Sequence, residues 1–246
     1  MRYKITVEYD GTNLVGWQKQ KEGASVQEFL ERAVYGFSHQ TAEVFAAGRT
    51  DAGVHALGQV AHFDLDLDLS EYKMQESLNA LLRELQAPVS VLKTEKVGTD
   101  FHARFSAKGR GYIYRILNRR GGSPLLVNRV WHVTYPLDVA KMQAGAEYLL
   151  GYHDFSSFRG AGCQAKSPLK TLDKLEIERI GDEIIFTVEA RSFIYHQVRN
   201  MVGTLMQVGC GKLQVEDVER ILNACDRTKA GISAPACGLY LNKVIY

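Results

Sequence analysis

Residues 174–190, KLEIERIGDEIIFTVEA, contain two apolar-rich segments that are separated only by Gly181 and Asp182. In each segment apolar residues alternate with charged or polar ones, which is typical of a half-buried β-strand. A two-residue Gly-Asp connection is too short to contain a helix and is typical of a tight hairpin. The stretch therefore predicts a pair of adjacent antiparallel strands.

Similar patterns on both sides of this hairpin predict a mixture of strands and helices. Alternating segments predict strands at 2–10, 43–48, 59–66, 89–97, 111–118, 129–135 and 238–246. Helical spacing predicts helices at 25–40, near 74–82, and at 138–151, 195–208 and 215–224. Several strands are joined by loops too short for a helical crossover, which favours an α+β fold with a largely antiparallel sheet over a doubly wound fold.

The chain contains no linker rich in Pro, Gly or Ser. We therefore expect two halves, 1–106 and 107–246, that share one sheet and form one continuous structural unit. The apolar content of 46% and the charged content of 24% are typical of a folded globular protein. A formal net charge of +2 permits a nucleic-acid partner without indicating one.

Several classes of protein are excluded by missing patterns. The N terminus resembles neither a signal peptide nor a transit peptide, and no segment approaches the roughly 18 apolar residues of a membrane span. The expected location is the cytoplasm, without a membrane partner. The four scattered cysteines predict unpaired thiols, and motifs for zinc, phosphate loops and dinucleotides are absent, so we expect no metal and no cofactor.

The stretch AAGRTDAGVHALGQ, residues 46–59, places Arg49, Thr50 and Asp51 side by side between glycines. One interpretation is structural, because Thr50 or Asp51 would cap a turn. The other is catalytic, because glycines let the backbone approach a ligand closely. In that case Arg49 would contact a phosphate or displace a base, and Asp51 would supply a carboxylate. These residues alone leave both interpretations open.

Two later stretches also have two interpretations each. DFHARFSAKGRGYIYRI, residues 100–116, mixes cations with aromatic rings, which suits phosphates and unpaired bases, but Tyr112 and Tyr114 could equally lie in the core of an ordinary strand. EARSFIYHQVRNMVG, residues 189–203, places Arg199 on a largely apolar helix. If Arg199 is buried it needs a carboxylate partner, and otherwise its stem lies along the surface.

Together and in this order, the three stretches resemble the TruA family of tRNA pseudouridine synthases. GRTDAGVHA (48–56) resembles the family's catalytic motif, FHARFSAKGRGYIYRI (101–116) its second motif and FIYHQVRNMVG (193–203) its third. YDGTNLVGWQKQ, SVQEFLE, LLGYHDFSSFR and GLYLNKVIY match in position and type, so the resemblance covers nearly the whole chain. It favours the catalytic interpretation of Asp51.

The resemblance implies an isomerase that converts uridine to pseudouridine at positions 38, 39 and 40 in the anticodon stem-loop of tRNA, without metal or cofactor. Asp51 would be the nucleophile and Arg199 its ion-pair partner. Tyr112 would stack on the target base and assist proton transfer. The substrate-binding residues would be Arg49, Tyr112, Arg104 and Arg110.

The fold implied by the resemblance consists of two RNA-recognition-like α/β halves. They would share a largely antiparallel, mixed sheet with helices packed on one face and a central catalytic cleft. The half 1–106 would carry the Asp loop, and the half 107–246 would carry the Tyr and Arg motifs. A homodimer with a basic surface would bind the tRNA.

Two other functions remain to be weighed against the synthase. A non-catalytic tRNA-binding or chaperone protein on the same scaffold would keep the cations and aromatic rings but would not need Asp51. An aspartate-dependent hydrolase acting on a small molecule would need a second carboxylate or a metal. Asp64 and Asp66 lie on the following strand, but their spacing is not that of a ligand set.

Overall fold

The computed structural model describes residues 1–246, which divide into two compact units. The first unit comprises Met1–Lys108 and Tyr240–Tyr246, and the second comprises Gly109–Leu239. This division differs from the expected halves at the C terminus, because the last strand pairs with a strand of the first unit.

The elements follow one another in a mixed order of strands and helices. The strands are β1 (Arg2–Tyr9), β2 (Phe45–Ala46), β3 (His55–Asp64), β4 (Val89–Val97), β5 (Gly109–Asn118), β6 (Trp131–Val133), β7 (Gly151–Asp154), β8 (Leu169–Ile180), β9 (Glu183–Ala190) and β10 (Leu239–Ile245). The helices are α1 (Val26–Ser38), α2 (Glu71–Glu84), α3 (Val139–Glu147), α4 (Gln197–Gly209) and α5 (Asp217–Ala224). The prediction of an α+β fold with mostly antiparallel pairing is confirmed.

In the first unit β1 lies between β3 and β4 and is antiparallel to both. β3 also pairs with antiparallel β2 and with parallel β10. Every second residue of β1, from Tyr3 to Tyr9, is buried, as the alternation predicts. α1 packs against α2, and α2 packs against β4. α1 begins after Ser25, whose side chain accepts the Glu28 N–H.

In the second unit β9 lies between β5 and β8 and is antiparallel to both. The predicted hairpin is confirmed, since Ile180 of β8 pairs with Glu183 of β9 and Gly181 adopts a φ of 59°. β7 extends the pairing beyond β8, and β6 lies parallel to β5. α3 packs on β8 and on α4, whose buried residues include Met201 and Leu205.

The structure differs from the predicted elements at several positions: β3 and β8 begin four and five residues earlier than predicted, α3 ends four residues earlier, and three short strands also differ. β7 was not predicted, because four residues carry no usable periodicity. β2 and β6 are shorter than the segments predicted at 43–48 and 129–135. Each pairs with a single neighbour, so its ladder ends where the chain turns away from that neighbour.

All four cysteines, Cys163, Cys210, Cys225 and Cys237, are unpaired thiols, as predicted. The longest helix has 14 residues, and none of the five combines the length and the apolar character needed to cross a membrane.

Candidate functional site

Asp51 lies in the loop that connects β2 to β3, and it is neither buried nor fully exposed. Its carbonyl accepts the Val54 N–H at 3.1 Å, and Gly53 between them has a φ of 76°. Asp51 is thus partly exposed, on a turn whose backbone is fixed.

Buried contacts hold the loop immediately before Asp51. The Thr50 hydroxyl is buried and lies 2.8 Å from the Tyr9 hydroxyl at the end of β1. The Thr50 carbonyl accepts the Trp17 N–H at 3.1 Å. A buried hydrogen bond that is lost leaves an unsatisfied group, so these contacts fix the backbone on the N-terminal side of Asp51.

Two glycines let the segment after β1 approach this loop closely. A Cβ atom at Gly16 would lie 2.5 Å from the Thr50 carbonyl oxygen and 3.0 Å from the Asp51 carbonyl carbon, and the φ of Gly16 is +104°. A Cβ at Gly11 would lie 2.1 Å from the Val54 carbonyl oxygen. Only glycine allows the two backbones to pack at these distances.

His55, the first residue of β3 after this loop, is a buried residue that the sequence interpretation did not single out. The residue is 2% exposed, and its ring stacks on Tyr240 with centroids 4.7 Å apart. Nδ1 of His55 lies 3.0 Å from the Gly11 N–H and 3.1 Å from Asp10 Oδ1. His55 thus joins the end of the Asp51 loop to the end of β1. Its position inside GRTDAGVHA is the signal that could have indicated this role.

Arg49 lies on the other side of Thr50 from Asp51 and is exposed. No hydrogen bond or ion pair occupies its guanidinium, which is therefore available to an anionic ligand. Arg104 is also exposed and lies in the first unit, with its guanidinium 5.8 Å from the centre of the Phe105 ring. All three of these candidates, Arg49, Asp51 and Arg104, lie in the first unit.

Tyr112 and Tyr114 lie on the same face of β5 but in different surroundings. Tyr114 is fully buried, its hydroxyl donates to the Pro235 carbonyl at 2.8 Å, and burial raises its pKa well above the usual value. Tyr112 is only partly buried, and its ring meets Phe193 edge-on with centroids 5.1 Å apart. The core interpretation therefore applies to Tyr114, whereas part of Tyr112 is open to a ligand.

Arg199 lies on α4 of the second unit and is partly buried. Its Nε donates to the Ala234 carbonyl at 2.7 Å, and its Nη1 lies 3.2 Å from His196 Nε2. The Ala234 N–H in turn donates to the Arg199 carbonyl at 3.0 Å. The Ala234 carbonyl and the His196 ring thus help to orient the Arg199 guanidinium.

Arg110 is the remaining candidate of the second unit. It is partly buried on β5, and its Nη1 donates to the Arg191 carbonyl at 2.8 Å. No group of three or more His, Cys, Asp or Glu side chains is arranged to hold a metal ion. The chemistry of the candidate residues is therefore that of a carboxylate, a phenol and several guanidinium groups.

Comparison with known proteins gives a consistent family. The family model for tRNA pseudouridine synthase matches residues 5–106 and 146–246. A relative from Rhodospirillum centenum, named tRNA pseudouridine synthase A, is 54% identical over 245 residues, which is 100% of this chain and 99% of the relative. A relative of the same name from Zymomonas mobilis is 48% identical with the same coverage of both chains.

A solved structure of a Cbf5-Nop10-Gar1 complex is similar at a TM-score of 0.38 and 12% identity, over 96% of this chain and 47% of that one. This similarity is too low to define the fold or the function. The family model and the relatives, in contrast, extend over most or all of the chain, and the chain belongs to the tRNA pseudouridine synthase A family.

Proposed function

We propose that this protein converts uridine to pseudouridine at positions 38, 39 and 40 in the anticodon stem-loop of tRNA. Membership of the family supports the class of reaction, an isomerisation of uridine in tRNA. The observation that carries the proposal is the turn at Asp51, which holds this partly exposed residue on a backbone fixed by buried contacts.

Asp51 is the proposed nucleophile. In the reaction the bond between ribose C1′ and uracil N1 breaks, a bond between C1′ and C5 forms, the hydrogen leaves C5 as a proton and N1 gains a proton. Asp51 attacks either the uracil ring or the ribose and is released when the new bond forms. An ionised carboxylate needs no base for activation, so its placement and its shielding from water determine the rate.

Tyr112 and Arg199 are proposed to complete the site. Tyr112 stacks on the target base and assists proton transfer, and it does so without adding a second charge next to a carboxylate. Arg199 pairs with Asp51 and favours its ionised form when substrate excludes water. The edge-on contact of Tyr112 with Phe193 and the fixed orientation of the Arg199 guanidinium support these roles.

The substrate has to leave its base-paired stem before it reaches Asp51. Extruding a nucleotide costs a few kcal/mol, which contacts with phosphates offset. We propose that Arg49 helps to extrude the target nucleotide and that Arg104 and Arg110 contact the RNA. The exposure of Arg49 and Arg104 supports this assignment.

The remaining elements of the proposal follow from the family resemblance. They are two RNA-recognition-like halves that share one sheet with helices on one face, and a central catalytic cleft. A homodimer in the cytoplasm would bind the tRNA on a basic surface. No metal and no cofactor takes part in the proposed reaction.

Release of tritium from tRNA that carries uridine labelled at C5 tests the proposed function directly. The new carbon–carbon bond expels the hydrogen on C5, so we expect stoichiometric release of tritium to water by the wild-type protein. Binding of the tRNA without any release would instead support a non-catalytic RNA-binding protein on the same scaffold.

Replacement of Tyr112 by Phe separates stacking from proton transfer. Because the ring is kept and the hydroxyl is removed, we expect the single-turnover rate to fall by about 10²- to 10⁴-fold, the usual contribution of general acid–base catalysis. The dissociation constant of tRNA should change by less than about threefold, since stacking is retained. A single-turnover rate equal to that of the wild type would remove the hydroxyl from the mechanism.

A further inference from the structure

Phe105 is an exposed aromatic residue in a well-fixed turn of the first unit. The residue is 78% exposed, although it lies among residues that are held by several hydrogen bonds. The His102 N–H donates to Ser106 Oγ at 2.9 Å, and the Ser106 N–H donates to the His102 carbonyl at 2.9 Å. The Arg104 N–H donates to His102 Nδ1 at 3.1 Å. Phe105 is therefore presented by an ordered backbone and is not exposed through local disorder.

Phe105 is the outermost ring of an aromatic cluster formed by Phe45, His62, His102 and Phe105. The His102 and Phe105 centroids are 4.4 Å apart, those of His62 and His102 are 4.7 Å apart, and those of Phe45 and His62 are 5.2 Å apart. The cluster begins at buried His62 and ends at exposed Phe105. His102 thus packs against the Phe105 ring, while most of Phe105 remains exposed.

His62 fixes the turn that carries this ring. Its Nδ1 accepts the Ala103 N–H at 3.2 Å, which requires that nitrogen to be unprotonated. Burial, followed by the charges of His102 and Arg2, lowers the pKa of His62 to about 4, while Asp64 acts in the opposite direction. The ring is therefore neutral at physiological pH, and the hydrogen bond to Ala103 is kept.

The charges around Phe105 favour an anionic partner. Residues 101–108 contain Arg104 and Lys108 and no carboxylate. The Arg104 guanidinium lies 5.8 Å from the centre of the Phe105 ring, so a positive charge and a flat apolar surface are adjacent. A nucleotide combines a flat base with a negative phosphate. Proteins commonly bind an unpaired nucleotide through an aromatic ring next to a cation.

We propose that Phe105 stacks on an unpaired base of the RNA substrate, at a nucleotide other than the target uridine, while Arg104 contacts an adjacent phosphate. The inference rests on the proposed function for the identity of the RNA, but not for the chemistry of the contact. It assigns Phe105 a role in binding and none in the chemical step.

The test compares Phe105→Ala with Tyr72→Ala, because Tyr72 on α2 is 74% exposed in the same unit and belongs to no aromatic cluster. We expect Phe105→Ala to weaken tRNA binding by about 5- to 100-fold, the loss of one stacked base, at every salt concentration between about 50 and about 200 mM. The slope of the logarithm of the tRNA-binding constant against the logarithm of the salt concentration should stay unchanged. Arg104→Gln should instead reduce the magnitude of that slope by about one, and the Tyr72→Ala variant should bind tRNA as the wild type does.

A direct signal for stacking comes from Phe105→Trp and its control Tyr72→Trp. Tryptophan emission should be quenched on addition of tRNA in the first variant and not in the second. Equal affinity of Phe105→Ala and the wild type would overturn the proposal. If Phe105→Ala differs from the wild type in sedimentation mass but not in tRNA affinity, the proposal is also overturned, since the ring would then contact a second copy of the chain.

These outcomes are independent of the proposed function. If the wild type releases tritium but Phe105→Ala binds normally, the stacking contact is wrong and the catalytic proposal stands. If the wild type releases no tritium but Phe105→Ala loses affinity, the contact stands and the catalytic proposal is wrong.

Discussion

Asp51→Asn is expected to abolish formation of pseudouridine while tRNA still binds. Asparagine has nearly the same shape as aspartate, so the turn at residues 50–54 should be kept, but its amide is neither charged nor nucleophilic. Loss of a covalent nucleophile typically lowers turnover by on the order of 10⁴-fold or more. Single-turnover tritium release measures the chemical step, and filter retention of labelled tRNA measures binding separately.

Asp66→Asn is the matched control for this experiment. Asp66 is exposed and lies two residues after the end of β3, and its backbone, not its carboxylate, contacts Gln40. We expect full activity from Asp66→Asn. Loss of activity in both variants would favour two-carboxylate chemistry, and measurable turnover by Asp51→Asn would exclude Asp51 as the nucleophile.

Local patterns in the sequence predict most elements of the fold. The bounds of β4 and β9 agree with the predicted segments, and along β9 the burial alternates without interruption. α1 begins directly after Ser25, the first residue of the predicted segment, because the Ser25 side chain satisfies an N–H that the helix leaves open. β7 could not be predicted, since four residues become a strand only through pairing with β8, which lies elsewhere in the sequence.

The candidate site shows a similar division between local and long-range information. Motif resemblance indicates Asp51, Tyr112 and Arg199, whereas the residue types alone do not distinguish Tyr112 from Tyr114, two residues further along the same strand. Their difference is one of burial and arises from packing. His55 was missed for the same reason, because its partner Gly11 lies 44 residues away.

Gly16→Ala is expected to damage both stability and catalysis, because Gly16 supports the Asp51 loop through backbone contact alone. A methyl group there would lie 2.5 Å from the Thr50 carbonyl oxygen, and alanine disfavours a φ of +104°. Strain and overpacking together should lower the free energy of unfolding by about 3 kcal/mol. If the loop moves to relieve the contact, Asp51 moves with it, and a displacement near 1 Å costs about 10²-fold in rate.

Urea denaturation and single-turnover tritium release distinguish the two effects, with Gly48→Ala as the stability control from the same loop. A Cβ at Gly48 would meet no atom within 4 Å, and the φ of Gly48 is not positive, so its unfolding free energy should change by less than about 0.5 kcal/mol. A stable but slow Gly16→Ala protein would mean that the loop yields and carries Asp51 out of place. A protein as stable and as fast as the wild type would mean that Gly16 does not determine the position of Asp51, and that the buried Tyr9–Thr50 hydrogen bond holds the carboxylate without it.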